Sequence, residues 1–218
     1  SPRSRRLRPQ QRHMTADPYY SDDAVTIYHG DCREILPALT FDVIVTDPPY
    51  GLASAYGRQS REILGDGDVA LTDWLVSGWS DLVPMAVFAD CMHGPFGRPR
   101  RQLVWDKGAF GLSGSDLPWL TAHEVVWIYG AGWSGSKRGT LLRTPRIQAP
   151  KHPTEKPVRL LQRIIVCAPV GVICDPFMGV GSTLRAAKDL GRKAVGIELE
   201  ERYCEIAAER MAQEVLAL

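Results

Sequence analysis

No stretch of this 218-residue chain approaches the ~18 consecutive apolar residues that a membrane-spanning helix requires, and no secretory signal pattern is legible. Paired cysteines are missing as well. Cys32, Cys91, Cys167, Cys174 and Cys204 are odd in number, scattered, and never spaced as CxxC. That pattern argues against a disulfide framework and a zinc cluster, so neither a membrane nor a metal is expected and a reducing cytoplasm is the expected setting. No internal repeat or low-complexity tract is present. Excess charge is lacking too: the net is +1, a balance that does not by itself point to nucleic acid.

The distribution of charge says more than its sum. Residues 1–13, SPRSRRLRPQQRH, carry five arginines and no acid, and outside them 21 cations face 25 acids, a net of −4. This arm reads either as a disordered leader or expression remnant ahead of Met14, or as a nucleic-acid-binding arm. A second basic stretch, 131–151, reads AGWSGSKRGTLLRTPRIQAPK. Its five cations, among them Lys137, Arg138, Arg143 and Arg146, have no acid between them. Unopposed cations on a loop rich in Gly, Ser and Pro suit a phosphate backbone, or they form a solvated loop with no partner. Arg98, Arg100, Arg101 and Lys107 make a similar, weaker cluster.

With 44% hydrophobic residues the chain can bury one sizeable core, so residues 14–218 are expected to form a single domain. Apolar runs alternate between strand and helix character, which predicts an α/β fold with a mostly parallel sheet covered by helices. Strands are expected at 25–28, 42–46, 85–89, 102–105, 124–129, 171–174 and 193–197. Helices are expected at 33–38, 69–82, 157–167, 182–190 and 201–216. Residues 51–67 and 131–150 read as long loops.

Two motifs carry chemistry. TDPPYG, 46–51, directly follows the short apolar run FDVIV, so something rigid and polar is held at the end of a buried strand. Near the C-terminus, GVICDPFMGVGSTLRAAKDLGRKAVGIELE reads as strand, glycine turn, helix and a second strand ending in an acid. Gly179 and Gly181 let backbone approach a ligand, and Glu198 can accept from two ribose hydroxyls. A dinucleotide fingerprint would need a third glycine where this chain has Leu184, and a turn opening Asp175-Pro176-Phe177 suits a pyrophosphate poorly. The site is therefore read as one for a nucleoside, the alternative being glycines that only permit tight packing.

DPFMGVGS, together with TDPPYG and HPTEKPVRLL at 152–161, resembles the S-adenosylmethionine-dependent amino-methyltransferases of DNA, the adenine-N6 and cytosine-N4 enzymes, in the permuted order called beta. The resemblance runs from about Val25 to Met211. It implies a doubly wound, Rossmann-like methyltransferase sheet, circularly permuted, in which the early strand 42–46 lies beside the late strand 171–174, and VTIYHGD beside KAVGIEL. S-adenosylmethionine is the implied cofactor and double-stranded DNA the implied substrate. Asp31 resembles the acid that accepts from the cofactor's adenine amino group, or it caps the helix that follows it. Thr154 and Lys156 resemble contacts to the methionine carboxylate, although Pro157 and Thr154 also make a helix start. With Asp175, Phe177, Gly179, Gly181 and Glu198 they form the expected cofactor set.

For DPPY the chemistry explains the residue types. An exocyclic amine is a poor nucleophile because its lone pair is delocalised into the ring. Two acceptors aimed at its hydrogens favour a tetrahedral nitrogen, a stabilisation realised mainly in the transition state. The Asp47 carboxylate and the Pro48 carbonyl are the expected acceptors, Pro49 stiffens the loop, and Tyr50 stacks on a base flipped out of the duplex. Residues 108–150 occupy the place of the family's recognition segment, and this short insert supplies Lys137, Arg138, Arg143 and Arg146 as expected DNA contacts, with Arg58 on the other loop.

Adenine N6 is favoured because an Asp at the first position of this motif usually marks adenine within the permuted group. Cytosine N4, an RNA or protein-amide acceptor, and a catalytically silent cofactor-binding module are the alternatives. A second copy of the chain and a cognate restriction endonuclease are partners that such an enzyme admits, and neither follows from these residues.

Overall fold

The computed structural model describes residues 17–49, 69–91, 94–108, 122–150 and 155–213. The basic arm, loop 51–67 with Arg58, and Tyr50, His152 and Thr154 lie outside the described residues. Among the described residues the strands are β1 (Tyr20–Ser21), β2 (Val25–His29), β3 (Val43–Thr46), β4 (Met85–Ala89), β5 (Arg101–Asp106), β6 (His123–Tyr129), β7 (Leu141–Arg143), β8 (Ile173–Asp175) and β9 (Ala194–Glu198). The helices are α1 (Cys32–Ile35), α2 (Val69–Trp79), α3 (Val158–Ile165), α4 (Ser182–Asp189) and α5 (Glu201–Ala212). None of these helices is long and apolar enough to cross a membrane.

All the strands join one sheet in the order β1-β2-β9-β8-β3-β4-β6-β5-β7. From β2 to β4 every pairing is parallel, and β6 enters antiparallel to both β4 and β5. The permuted order is realised directly. Val43 pairs with Ile173 and Ile44 with Cys174, while β2 runs beside β9 from Val25 opposite Ala194 to His29 opposite Glu198.

Strand alternation divides the apolar residues into two layers. Val43, Val45, Ala86 and Phe88 face the cluster that takes Leu160, Leu161, Ile164 and Ile165 of α3, together with residues of α4 and α5. Ile44, Met85, Val87, Val195 and Ile197 face the cluster containing Ile35 of α1 and Leu75 and Val76 of α2. β3 is buried along its whole length, as a central parallel strand covered on both sides should be.

Three details differ from the sequence reading. The expected loop 131–150 contains β7, which pairs in parallel with β5 from Val104 opposite Leu141 to Asp106 opposite Arg143 and buries Leu142. A three-residue strand between Gly139 and Pro145 is too short to show a period, and its pairing is non-local. Two-residue β1 was not expected for the same reason. Pro157 is the N-cap, with φ −59° and ψ 128°, so α3 starts one residue later than the sequence suggests.

Glycine is required in β9 by packing. A Cβ on Gly196 would lie 2.5 Å from Met178 Sδ and 2.8 Å from a Leu184 methyl, under the glycine turn. Gly196→Ala is therefore expected to cost about 1–3 kcal/mol, the scale of overpacking a tight interior, read as a lower melting temperature. Because Met178 sits inside the turn, cofactor affinity should fall with it.

Candidate functional site

The carboxyl ends of β2, β9, β8 and β3 open on one cavity of about 230 Å³, lined among others by Asp31, Asp47, Pro48, Phe177, Gly179 and Glu198. This is the position expected of a ligand site in a doubly wound sheet. The two motifs that lie more than a hundred residues apart in sequence meet here because β3 and β8 are neighbours.

On the β8 side, Asp175 is fully buried. It accepts from Thr46 Oγ1 at 2.6 Å and from the Phe177 amide at 3.1 Å. Burial pushes its carboxyl up to about 6, against the lowering effect of its hydrogen bonds to Thr183, Thr46 and Phe177. The turn then passes Gly179, φ 52°, and Gly181, φ 76°, which is the N-cap of α4. Left-handed backbone at both positions favours residues without a Cβ, and a Cβ on Gly181 would also meet Ala207 of α5 at 3.0 Å.

Glu198, at the end of β9, accepts from the Gly179 amide at 2.9 Å and the Glu200 amide at 2.8 Å, one on each oxygen. Its carboxylate is thus locked in orientation, and each oxygen keeps a second lone pair for a hydroxyl. Burial raises its pKa. Asp31 caps α1 by accepting from the Arg33 amide at 2.8 Å, and the Arg33 guanidinium also grips it, holding its pKa down. The capping role is therefore observed, at the rim of the same cavity.

The β3 side carries the larger surprise. Asp47 forms an ion pair with Lys156, whose ammonium is buried and also stands 3.2 Å from Glu124 Oε2. Lys156 lines the cavity, but its ammonium lies on these two carboxylates. Burial opposes its charge, yet Asp47 and Glu124 outweigh that and raise its pKa. Thr72 of α2 donates to the Pro49 carbonyl at 3.1 Å, tying the loop after β3 to the opposite helix layer.

Lys107 leaves the weak basic cluster suggested by sequence. Its ammonium is 2.7 Å from Glu124 Oε1, largely buried, whereas Arg98, Arg100 and Arg101 are exposed and lie at or before the start of β5, away from the cavity. Lys137, Arg138, Arg143 and Arg146 are exposed. Of these, Arg143 stands at the cavity end of the sheet, opposite Asp106, with which it makes a 3.5 Å ion pair. Trp133 is partly buried and donates to the Tyr129 carbonyl at 2.9 Å, and Trp127 packs against the core.

Sequence reading missed Glu124, Thr72, Gly196 and the pair Glu155–Arg210, which pins the segment before α3 to the glycine turn through Ser182 Oγ, 2.9 Å from Arg210. A signal existed for Glu124. It alternates with Val126 and Ile128 on a face that is otherwise buried, an acid where an apolar residue belongs.

The donor set fits a nucleoside carrying both an amine and a carboxylate: an oriented acid for the ribose, glycine backbone that permits close approach, and a second acid at the strand end. The comparisons agree. The N6_N4_Mtase family, described as DNA methylase, matches residues 103–209. Type II methyltransferase M2.DpnII of Streptococcus pneumoniae is 43% identical over 92% of this chain and 94% of its own length. The M1.HpyAVI–SAM complex superposes with a TM-score of 0.64 at 22% identity, covering 85% of this chain and 99% of that one. The PvuII DNA methyltransferase, described as cytosine-N4-specific, gives a TM-score of 0.68 at 16% identity over 93% and 92%. At such identities the two structures speak for the fold.

Proposed function

The chain belongs to the N6/N4 DNA methylase family, the S-adenosylmethionine-dependent DNA amino-methyltransferases, and from that premise we propose that it methylates the N6 amine of adenine flipped out of duplex DNA. The observation that carries the reading is the meeting of Asp47 with Glu198 and the glycine turn in one cavity. Bound there, S-adenosylmethionine supplies an electrophilic methyl group on a sulfonium. The chain's own residues do the remaining work.

Glu198 takes the ribose hydroxyls in an orientation set by two backbone amides. Asp31 and Phe177 border the adenine end, and Asp175 with the Gly179–Gly181 turn holds the amino-acid end. Asp47 and the Pro48 carbonyl accept from the two hydrogens of the incoming amine, directing its lone pair at the methyl carbon. Transfer of that methyl would form an N–C bond at the expense of the S–C bond and leave the amine cationic, a species acidic enough to lose its proton to solvent afterwards, so no strong base is required of Asp47. Tyr50 supplies the stacking face for the flipped base, and Thr154 contacts the cofactor carboxylate. Arg143, Arg146, Lys137 and Arg138, with Arg58, contact the phosphate backbone.

Glu198→Gln places an amide NH₂ against one of two backbone donors, so cofactor affinity should fall about tenfold, the scale of one lost charge-assisted hydrogen bond. The carboxylate is the accepting form and burial raises its pKa. Wild-type affinity should therefore weaken as pH falls into the acidic range, and the Gln variant should lack that dependence. Calorimetric titration with S-adenosylmethionine reads both effects.

The base is identified by methylating unmethylated duplex DNA, digesting it, and resolving the nucleosides. N6-methyladenine is expected. N4-methylcytosine would reassign the base, and absence of any methylated nucleoside alongside transfer to RNA or protein would overturn the reading.

A further inference from the structure

The geometry around Asp47 points to a second layer of organisation. Four charges of alternating sign run inward from the antiparallel half of the sheet: Lys107 after β5, Glu124 in β6, Lys156 before α3, and Asp47 after β3. Lys107 is 2.7 Å from Glu124 Oε1, and Lys156 is 3.2 Å from Glu124 Oε2. Aromatic faces enclose the chain: Lys156 Nζ is 5.3 Å from the Phe88 ring centroid and 5.9 Å from that of Trp105, and Lys107 Nζ is 5.5 Å from the Trp105 centroid.

Glu124 Oε2 is buried and makes no well-directed hydrogen bond, so its compensation is the Lys156 ammonium beside it. A buried carboxylate held in this way is expensive unless its partners are fixed. Lys107 fixes it from one side and Lys156 from the other, and both outweigh burial to hold Glu124 below the usual carboxylate range. Lys156 therefore divides its charge between two carboxylates. Among the described residues, loss of Glu124 would leave Lys156 with Asp47 as its one acidic ion-pair partner, and the ammonium would draw the catalytic carboxylate toward itself.

We infer that Glu124 is a positioning residue for methyl transfer, acting through Lys156, with Lys107 as its own anchor. It sets where the Lys156 ammonium sits, and so the position and charge of the Asp47 carboxylate that meets the amine. Lys107 and Glu124 are contributed by β5 and β6, which flank residues 109–121 in sequence. The segment 108–150, read as the recognition insert, is thereby wired to the catalytic carboxylate through β6, which lies inside it, and through Lys107 just before it. The inference rests on the assignment of Asp47 as acceptor.

Among the described residues, the charged groups that face Lys156 include Asp47 after β3 and Glu124 of β6, with Lys107 behind Glu124 and Asp175 of β8 in electrostatic contact with Asp47. The test compares wild type, Glu124→Gln, Glu124→Asp, Lys107→Met and the Lys107→Met/Glu124→Gln double variant. Single-turnover methylation of duplex DNA, calorimetric S-adenosylmethionine affinity and melting temperature are measured for each. Glu124→Gln is expected to lose about tenfold in rate with unchanged cofactor affinity, the signature of an interaction felt in the transition state. The alkaline limb of its pH–rate profile should move to lower pH, because one of the two carboxylates that keep Lys156 charged is gone. Glu124→Asp should recover part of the rate, and Lys107→Met should add nothing to Glu124→Gln.

An unchanged rate in Glu124→Gln, or a rate that falls only in step with melting temperature and cofactor affinity, would overturn the inference. Titration of the Lys156 ammonium by nitrogen-15 NMR provides a readout without turnover. A titration point that is the same in wild type and Glu124→Gln also overturns it. Failure of the wild type to methylate DNA would instead strike the parent assignment, since the NMR comparison does not depend on it.

Discussion

Asp47→Asn should slow methyl transfer by about 10²–10³-fold, the scale of removing one preorganised group aimed at developing charge. The dissociation constant for S-adenosylmethionine should move by no more than about threefold, because the lost interaction belongs to the transition state. Asn is the informative substitution. It keeps an oxygen toward Lys156, whereas Ala leaves that ammonium with one carboxylate and a cavity, and breaking a buried pair can cost ~3–5 kcal/mol. A loss of rate in Asp47→Ala alone would be open to a folding explanation. Rapid-quench transfer from a tritiated methyl donor, run beside a thermal melt, separates the two effects. Full activity in a folded Asp47→Asn protein would remove the carboxylate from the mechanism.

The second large effect concerns Asp175, and its sign is opposite for stability and function. Its carboxyl is raised by burial from 3.8 to about 6, so the native state holds this proton more tightly than the unfolded chain does. The group's contribution to stability is complete below pH 3.8, is lost as pH rises to about 6, and is absent at neutrality. A shift of this size corresponds to ~3 kcal/mol. Asp175→Asn removes the penalty and should raise the melting temperature of the ligand-free protein at pH 7 by about 6–12 °C for a chain of this length. At pH 4 the advantage should largely vanish, since the wild-type group is then neutral. Affinity for S-adenosylmethionine, whose cationic end would meet this carboxylate, should fall about tenfold or more on loss of a charge-assisted contact. An equal gain in melting temperature at both pH values would show that burial of the charge is not the cause. Strain of this kind, kept at a site because the ligand relieves it, is a recurring trade between stability and activity.

Much of this was legible from the chain. The central strands are continuous apolar runs and the two motifs name their own strand ends, so β3, β4, β8 and β9 were legible as strands, while the meeting of Asp47 with Glu198 was legible only through the family resemblance and its permuted strand order. What escaped depends on pairing across the sheet. Lys107 reads as one more cation in a basic stretch until β5 lies against β6 and sets Lys107 beside Glu124. Lys156 lines the cavity as a cofactor contact would, but its ion pair with Asp47 shows only once the segment before α3 lies against the loop after β3. β7 carries too few residues for a period, and only the burial of Leu142 against β5 makes it a strand.

The side-by-side placement of β2 and β9 also sets a timetable. Val25 and Ala194 are register partners, yet a ribosome makes them 169 residues apart. At ~5–20 residues per second, a growing chain presents the loop that carries Asp47 several seconds before the strand that carries Glu198 exists. Closing so distant a pair is among the slow steps of sheet formation. The cavity wall that carries Glu198 is therefore closed long after the loop bearing Asp47 is made, and a chain that stops short of β9 has Asp47 in hand with nothing across the cavity from it.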